Sequence, residues 1–149
     1  MSISISPYQE TDRPSLVSIF KENVPEFFAP HELDEYIDYL DKYNDSYYTV
    51  RDGDVIIGGV GIIIDREKST GSITWIFFAE KSKGTGAGTA AVDEMLGIMR
   101  GNPDVTEFRV RTSQYAYKFF EGFGFKIDKT EKDYWAEGLD LYDMGMAKG

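Results

Sequence analysis

Between Ser72 and Arg100 the chain passes from an apolar run, through clustered glycines, into an amphipathic segment, and this order leaves few folds open. Ile73-Thr74-Trp75-Ile76-Phe77-Phe78-Ala79 predicts a mostly buried strand. A polar bridge, Glu80-Lys81-Ser82, leads to Lys83-Gly84-Thr85-Gly86-Ala87-Gly88-Thr89. Val92, Met95, Leu96 and Met99 then recur at helical spacing until Arg100-Gly101-Asn102-Pro103 stops the helix. Strand, glycine loop and helix together aim backbone N–H groups at one point. The first helical turn has donors without partners, and its dipole favours an anion. Glycines let a phosphate approach the backbone, where a Cβ would hold it away.

The spacing narrows the ligand. A dinucleotide fold needs G-x-G-x-x-G, but the third position here is Thr89, and Gly88 falls one residue early. A loop of the form G-x-x-x-x-G-K-[ST] needs a lysine that does not follow these glycines. What does fit is basic-x-x-Gly-x-Gly, met by Lys83, Gly86 and Gly88. The same cluster also suits a plain strand-to-helix turn.

In the rest of the chain, Ser2-Ile3-Ser4-Ile5-Ser6 alternates and predicts a first strand with one buried face. Asp12 and Pro14 open a helix that carries Leu16, Val17 and Phe20 inward, with Asp12 as its cap. From Pro30 a second helix places Leu33, Tyr36, Ile37 and Leu40 on one face, leaving Asp34, Glu35, Asp38 and Asp41 to solvent. His31 serves the start of that helix. Tyr47–Arg51 and Val55–Ile64 form a hairpin about Asp52-Gly53-Asp54. Gly58, Gly59 and Gly61 in its second strand announce a bend or a close neighbour. Thr106–Thr112 alternates as a further strand, and Ser113 is placed to cap a short helix, Gln114–Glu121, with Ala116, Phe119 and Phe120 inward. Leu139–Met146 reads as a closing strand. This order gives an α/β chain with a mixed sheet, helices on both faces, and a single domain over 1–149.

Composition removes several chemistries. There is no cysteine, hence no disulfide, thiolate nucleophile or thiolate metal site, and one histidine cannot make a His-rich metal site. A formal charge of −10 disfavours nucleic acid and anionic lipid as partners. No apolar run approaches a membrane span and no leader pattern opens the chain, so no membrane partner and a cytoplasmic location are expected. An anionic ligand then needs a local positive site, which Lys81, Lys83 and the loop amides supply.

The Lys83–Gly88 pattern resembles the pyrophosphate loop of the GNAT acetyltransferases. A second stretch strengthens the likeness: Thr112–Phe125 is similar to the family pattern N-x-x-A-x-x-F-Y-E-K-x-G-F, matching at Ala116, Phe119, Glu121, Gly124 and Phe125. The resemblance covers essentially the whole chain. It implies the acyl-CoA N-acyltransferase fold, a central mostly antiparallel sheet of about six to seven strands flanked by about four helices. It implies direct transfer of acetyl from acetyl-CoA, as co-substrate and without a metal, to a primary amine of a small molecule or peptide. Phe77, Phe78 and Ala79 then take the pantetheine arm. Lys83, Gly84, Thr85, Gly86, Ala87, Gly88 and Thr89 take the pyrophosphate, and Ser113, Tyr117 and Phe120 complete the cofactor side. A homodimer is compatible with the family.

Two residues depart from the pattern. The motif asparagine is Ser113, and the motif tyrosine, an acid for the leaving thiolate, is Phe120, which has no proton to donate. Tyr117 is the first replacement, Tyr115 the second. Positioning contributes about 7–11 kcal/mol against roughly 10²–10⁴ in rate from an acid, so losing the acid does not abolish transfer. An alkylamine is only about one part in 10³ neutral at pH 7, so a base is needed; Glu80 and Glu26 are the candidates. Two other readings stay open: an acyl-CoA-binding module of the same fold without chemistry, and an interaction protein that uses its ten tyrosines and ten phenylalanines as a surface.

Overall fold

The Asp52-Gly53-Asp54 turn closes tightly because Gly53 takes φ +61°, a conformation that side chains resist. It joins β2 (Tyr47–Asp52) to β3 (Val55–Asp65) in the computed structural model, which describes residues 2–149. The sheet grows from this hairpin to seven strands, in the order β1-β2-β3-β4-β5-β7-β6. The further strands are β1 (Ile3–Pro7), β4 (Thr70–Phe78), β5 (Glu107–Thr112), β6 (Lys126–Ala136) and β7 (Leu139–Ala147). Every neighbouring pair is antiparallel except β4–β5. A parallel pair needs a crossover, and α3 (Ala87–Arg100) supplies it. The mixed sheet and its helices follow the expectation.

Each face of the sheet has its own apolar layer. Val92, Met95, Leu96 and Met99 of α3 bury against Phe108, Val110 and Met144, and Phe120 of α4 (Tyr117–Glu121) joins them. On the other face, α1 (Arg13–Glu22) and α2 (Glu32–Lys42) bring Leu16, Phe20, Tyr36 and Leu40 onto Tyr47 and Phe77. That second layer is dense in rings: Phe20 stacks on Tyr36 at 5.1 Å, and Phe77 meets both edge-on.

Several local expectations are corrected. Asp12 does not cap α1; its carboxylate accepts from Thr49 (2.8 Å) and Arg51 (2.7 Å), tying the helix to β2. Ile19, not Val17, is the third buried residue of α1, because the helix turns its Leu16–Phe20 side to the sheet. The short helix near Ser113 begins only at Tyr117, and no side chain caps it. Phe119 is 39% exposed rather than inward. β6 has no counterpart in the sequence reading, since nearly all its residues are exposed and give no alternation.

The glycines of β3 mark a close neighbour. A Cβ on Gly58 would overlap the Phe77 carbonyl oxygen and lie 2.5 Å from the Phe78 ring, while one on Gly59 would overlap the Tyr47 hydroxyl. β4 is drawn tightly onto β3, with an irregularity in register between Gly59 and Gly61. Opposite it, Trp75 takes φ +46°, and the Tyr47 hydroxyl donates to its carbonyl at 2.8 Å. On its other side β4 pairs with β5 only from Thr70–Glu107 to Ile73–Val110. Beyond that point the two strands part.

Candidate active site

A cleft of about 840 Å³ opens where β4 and β5 stop pairing. It is lined from both faces of the sheet: by Phe27, Phe28 and Glu32 on one, and by Gly86, Thr89 and Phe120 on the other. Its size is that of a small-ligand site.

One part of the lining is the glycine loop. Gly84 (φ +79°) and Gly86 (φ +92°) adopt the left-handed conformation, and an added Cβ on either would meet no atom within 4 Å. Glycine is needed here for backbone shape, and the space beside it is open. The N–H groups of Gly84, Gly86, Ala87, Gly88 and Thr89 have no acceptor among the described residues. α3 is 14 residues long, so its dipole reinforces these donors. The loop therefore fits an anionic, phosphate-bearing group. Lys83 adds charge; its ammonium lies 3.0 Å from Glu80 and 4.4 Å above the Phe27 ring.

The same cleft is also lined by a carboxylate. Glu32 stands one turn before Tyr36 and two before Leu40, on the buried row of α2, and is 5% exposed. Burial raises its pKa above the ordinary range. The Ala29 N–H, donating to it at 2.7 Å, opposes that rise, and nearby Glu35 adds to it. A desolvated carboxylate with one fixed donor, facing a cleft, is suited to taking a proton.

The structure sorts the sequence-predicted residues. Phe77, Phe78, Lys83, Gly84, Gly86, Gly88, Thr89, Ser113 and Phe120 line the cleft. Thr85 and Ala87 belong to the loop without lining it, and Ala79 is buried with its N–H bonded to Ile57. The Phe78 carbonyl is occupied by the side-chain amide of Asn23 at 3.0 Å. The three catalytic candidates lie outside the lining. Tyr117 stacks on Tyr142 with ring centres 4.5 Å apart, Glu80 is tied to Lys83, and Glu26 is exposed on the α1–α2 connection. Tyr115 does line the cleft, edge-on to Phe27. Sequence reasoning missed Glu32, although its i, i+4, i+8 relation to Tyr36 and Leu40 marks it as inward. It also missed Trp75, Arg111 and Trp135, which meet only through the strand order.

The acetyltransferase (GNAT) family model matches residues 13–125. This chain belongs to the GNAT acetyltransferase family. The matched span runs from the start of α1 to Phe125 and contains the whole β4–loop–α3–β5–α4 unit around the cleft. The chain is thus an acyltransferase of this family. Among solved structures, it is similar to Ard1 from Thermoplasma volcanium, with 17% identity, 99% of this chain and 98% of that chain covered, and a TM-score of 0.82. It is also similar to a spermidine N-acetyltransferase from Vibrio cholerae in complex with CoA and spermine (15% identity, 99% and 96% covered, TM-score 0.80). An N-acetyltransferase from Staphylococcus aureus Mu50 gives 14% identity, full cover of both chains at 100%, and a TM-score of 0.78. At such identities the likeness is one of fold. No curated protein sequence matches the chain. No helix among the described residues is long and apolar enough to cross a membrane.

Proposed function

We propose that this GNAT domain transfers the acetyl group of acetyl-CoA directly to a primary amine. The observation that carries the reading is one cleft lined both by the loop with its unpartnered N–H groups and by the buried Glu32 carboxylate. Acetyl-CoA supplies the activated acyl group when bound. The N–H groups of Gly84 to Thr89 and the Lys83 ammonium hold its diphosphate, and the unpaired edge of β4 beyond Ile73 accompanies its arm. Glu32 takes the proton from the acceptor ammonium, leaving the neutral amine that attacks the thioester carbonyl. The C–N bond forms as the C–S bond breaks. The Tyr115 hydroxyl gives its proton to the departing sulfur and takes in its place the second proton that the attacking nitrogen sheds as it becomes an amide, while Glu32 releases the first to solvent. The larger part of the rate comes from holding amine and thioester together, worth about 7–11 kcal/mol.

Calorimetric titration with acetyl-CoA, beside Gly86→Glu and with NADH and ATP as controls, tests the donor site. Selective binding that the variant loses is the expected result; no binding of acetyl-CoA overturns the reading. Release of CoA thiol across polyamines, amino acids, aminoglycosides and peptides tests transfer, and a chain without cysteine gives no background of its own. Phe120 favours one alternative, a domain that binds acyl-CoA without chemistry, because the motif position is 2% exposed and has no hydroxyl. Tight binding with no thiol release from any amine selects that alternative.

A further inference from the structure

Arg109 and Arg111 leave β5 on the same face, two residues apart, yet meet different surroundings. Arg109 collects three carboxylates: Glu107 at 3.1 Å, Asp143 at 2.7 Å, and Asp128. Arg111 has no carboxylate partner among the described residues. Its guanidinium donates instead to the Tyr134 hydroxyl at 2.8 Å and lies 5.0 Å and 5.7 Å from the Tyr134 and Trp135 rings. Trp135 is itself fixed, its indole N–H donating to the Thr112 carbonyl at 3.2 Å. Both Arg111 and Trp135 line the cleft that Glu32 lines.

A chain with 26 acidic and 16 basic residues thus leaves this cleft arginine without an acidic partner among the described residues, while its neighbour on the strand holds Glu107, Asp128 and Asp143. The rings and the hydroxyl set the plane of the guanidinium and use one of its roughly five N–H donors. What remains is a flat, oriented fork, matched to a carboxylate. A polycation would instead bring like charge against it.

We infer that the amine acceptor also carries a carboxylate: the substrate class is an amino acid, its amine toward Glu32 and its carboxylate on Arg111. The inference rests on the acetyltransferase reading for the role of the amine, and on Arg111 for the carboxylate. Phe28 and Trp75 in the same cleft favour an apolar side chain.

The test compares L-phenylalanine, L-leucine and L-methionine with their methyl esters, their decarboxylated amines and spermidine. Binding to the CoA-loaded protein is measured by calorimetry, and thiol release is expressed per neutral amine, since esterification lowers the amine pKa. The free acids should bind at least tenfold tighter than their esters and amines. Arg111→Gln should remove that preference by about 10–100-fold, the range for a charge-assisted contact. Lys129→Gln, an exposed charge lost from β6 outside the cleft, should keep the preference. Esters, amines or spermidine preferred over the acids, with acetyl-CoA still consumed, would overturn the inference and leave the acetyltransferase reading standing. If acetyl-CoA does not bind, titration of the free acids into the unloaded protein decides: binding lost in Arg111→Gln upholds the carboxylate site, and no binding rejects it.

Discussion

Replacing Glu32 by glutamine separates a catalytic carboxylate from a structural one, because the two roles predict opposite behaviour. Glutamine keeps the size and an acceptor for the Ala29 N–H, so the fold loses only the difference between a charge-assisted bond (about 1.5–3 kcal/mol) and a neutral one (about 0.5–1.5 kcal/mol). Against that loss stands the cost of holding a charge at 5% exposure. The raised pKa of Glu32 says that burial outweighs the bond. The sign follows from linkage. A carboxyl whose folded pKa is raised favours the fold fully below its unfolded value, ordinarily 4.5, and loses that contribution as pH rises through the folded pKa. The variant has no such loss, so its melting temperature minus that of the wild type should be greater at pH 8 than at pH 4. Turnover at saturating amine should fall by about 10²–10⁴, with the acid limb of the kcat profile removed. A chain of this size changes by roughly 2–4 °C per kcal/mol. A loss of more than about 4 °C at pH 8 would show that the carboxylate serves the fold, and turnover within tenfold of the wild type would remove it as the base.

Other outcomes follow from the same geometry. Tyr115→Phe should lower kcat more than Tyr117→Phe, because only Tyr115 lines the cleft; equal effects in steady-state assays would contradict this placement. Tyr47→Phe deletes a hydroxyl that accepts from Tyr36 at 3.0 Å and donates to Trp75 at 2.8 Å, so thermal unfolding should show a loss of about 1–3 kcal/mol. Tyr39→Phe, the same deletion one neighbour away, should raise stability, since the buried Tyr39 hydroxyl has no partner among the described residues and its pKa is pushed up to about 12 by burial. Gly58→Ala should cost about 1–3 kcal/mol or more in denaturant titration, because its Cβ meets backbone and not a flexible side-chain end; an unchanged midpoint would mean that β3 and β4 separate freely.

The sheet and its helices were legible wherever one face is buried. Apolar rows recur at fixed periods on α2, α3 and β5, and the glycine loop declares its backbone geometry through residues that only glycine replaces cheaply. β6 was not legible because it lies at the sheet edge and its Lys126–Asp133 stretch is exposed and charged; such charges protect an edge from pairing with other chains, and they erase the alternation that reveals a strand. Asp12 looked like a helix cap because sequence shows only local neighbours, whereas Thr49 and Arg51 compete for its carboxylate from another strand. The glycine-loop side of the cleft is contiguous in sequence, so its pattern is visible there. The rest of the lining comes from α2, β4, β5 and β6, and no local pattern joins Glu32, Trp75, Arg111 and Trp135 before the strand order is known. Family likeness marked the missing hydroxyl at Phe120 and named Tyr117 first, whose ring stacks on Tyr142, whereas the second candidate, Tyr115, lines the cleft.

Trp75 and Trp135 are the only tryptophans in the chain, and both line the cleft. All indole emission from this molecule therefore originates at the place where donor and acceptor would meet. Trp75 is enclosed by Phe20, Phe28 and Tyr36, while Trp135 sits beside the Arg111 charge, so the two emitters occupy unlike environments. Ligands that settle beside Trp75 and ligands that settle beside Trp135 should shift the spectrum differently, and the unlabelled protein carries its own optical gauge of which indole they meet.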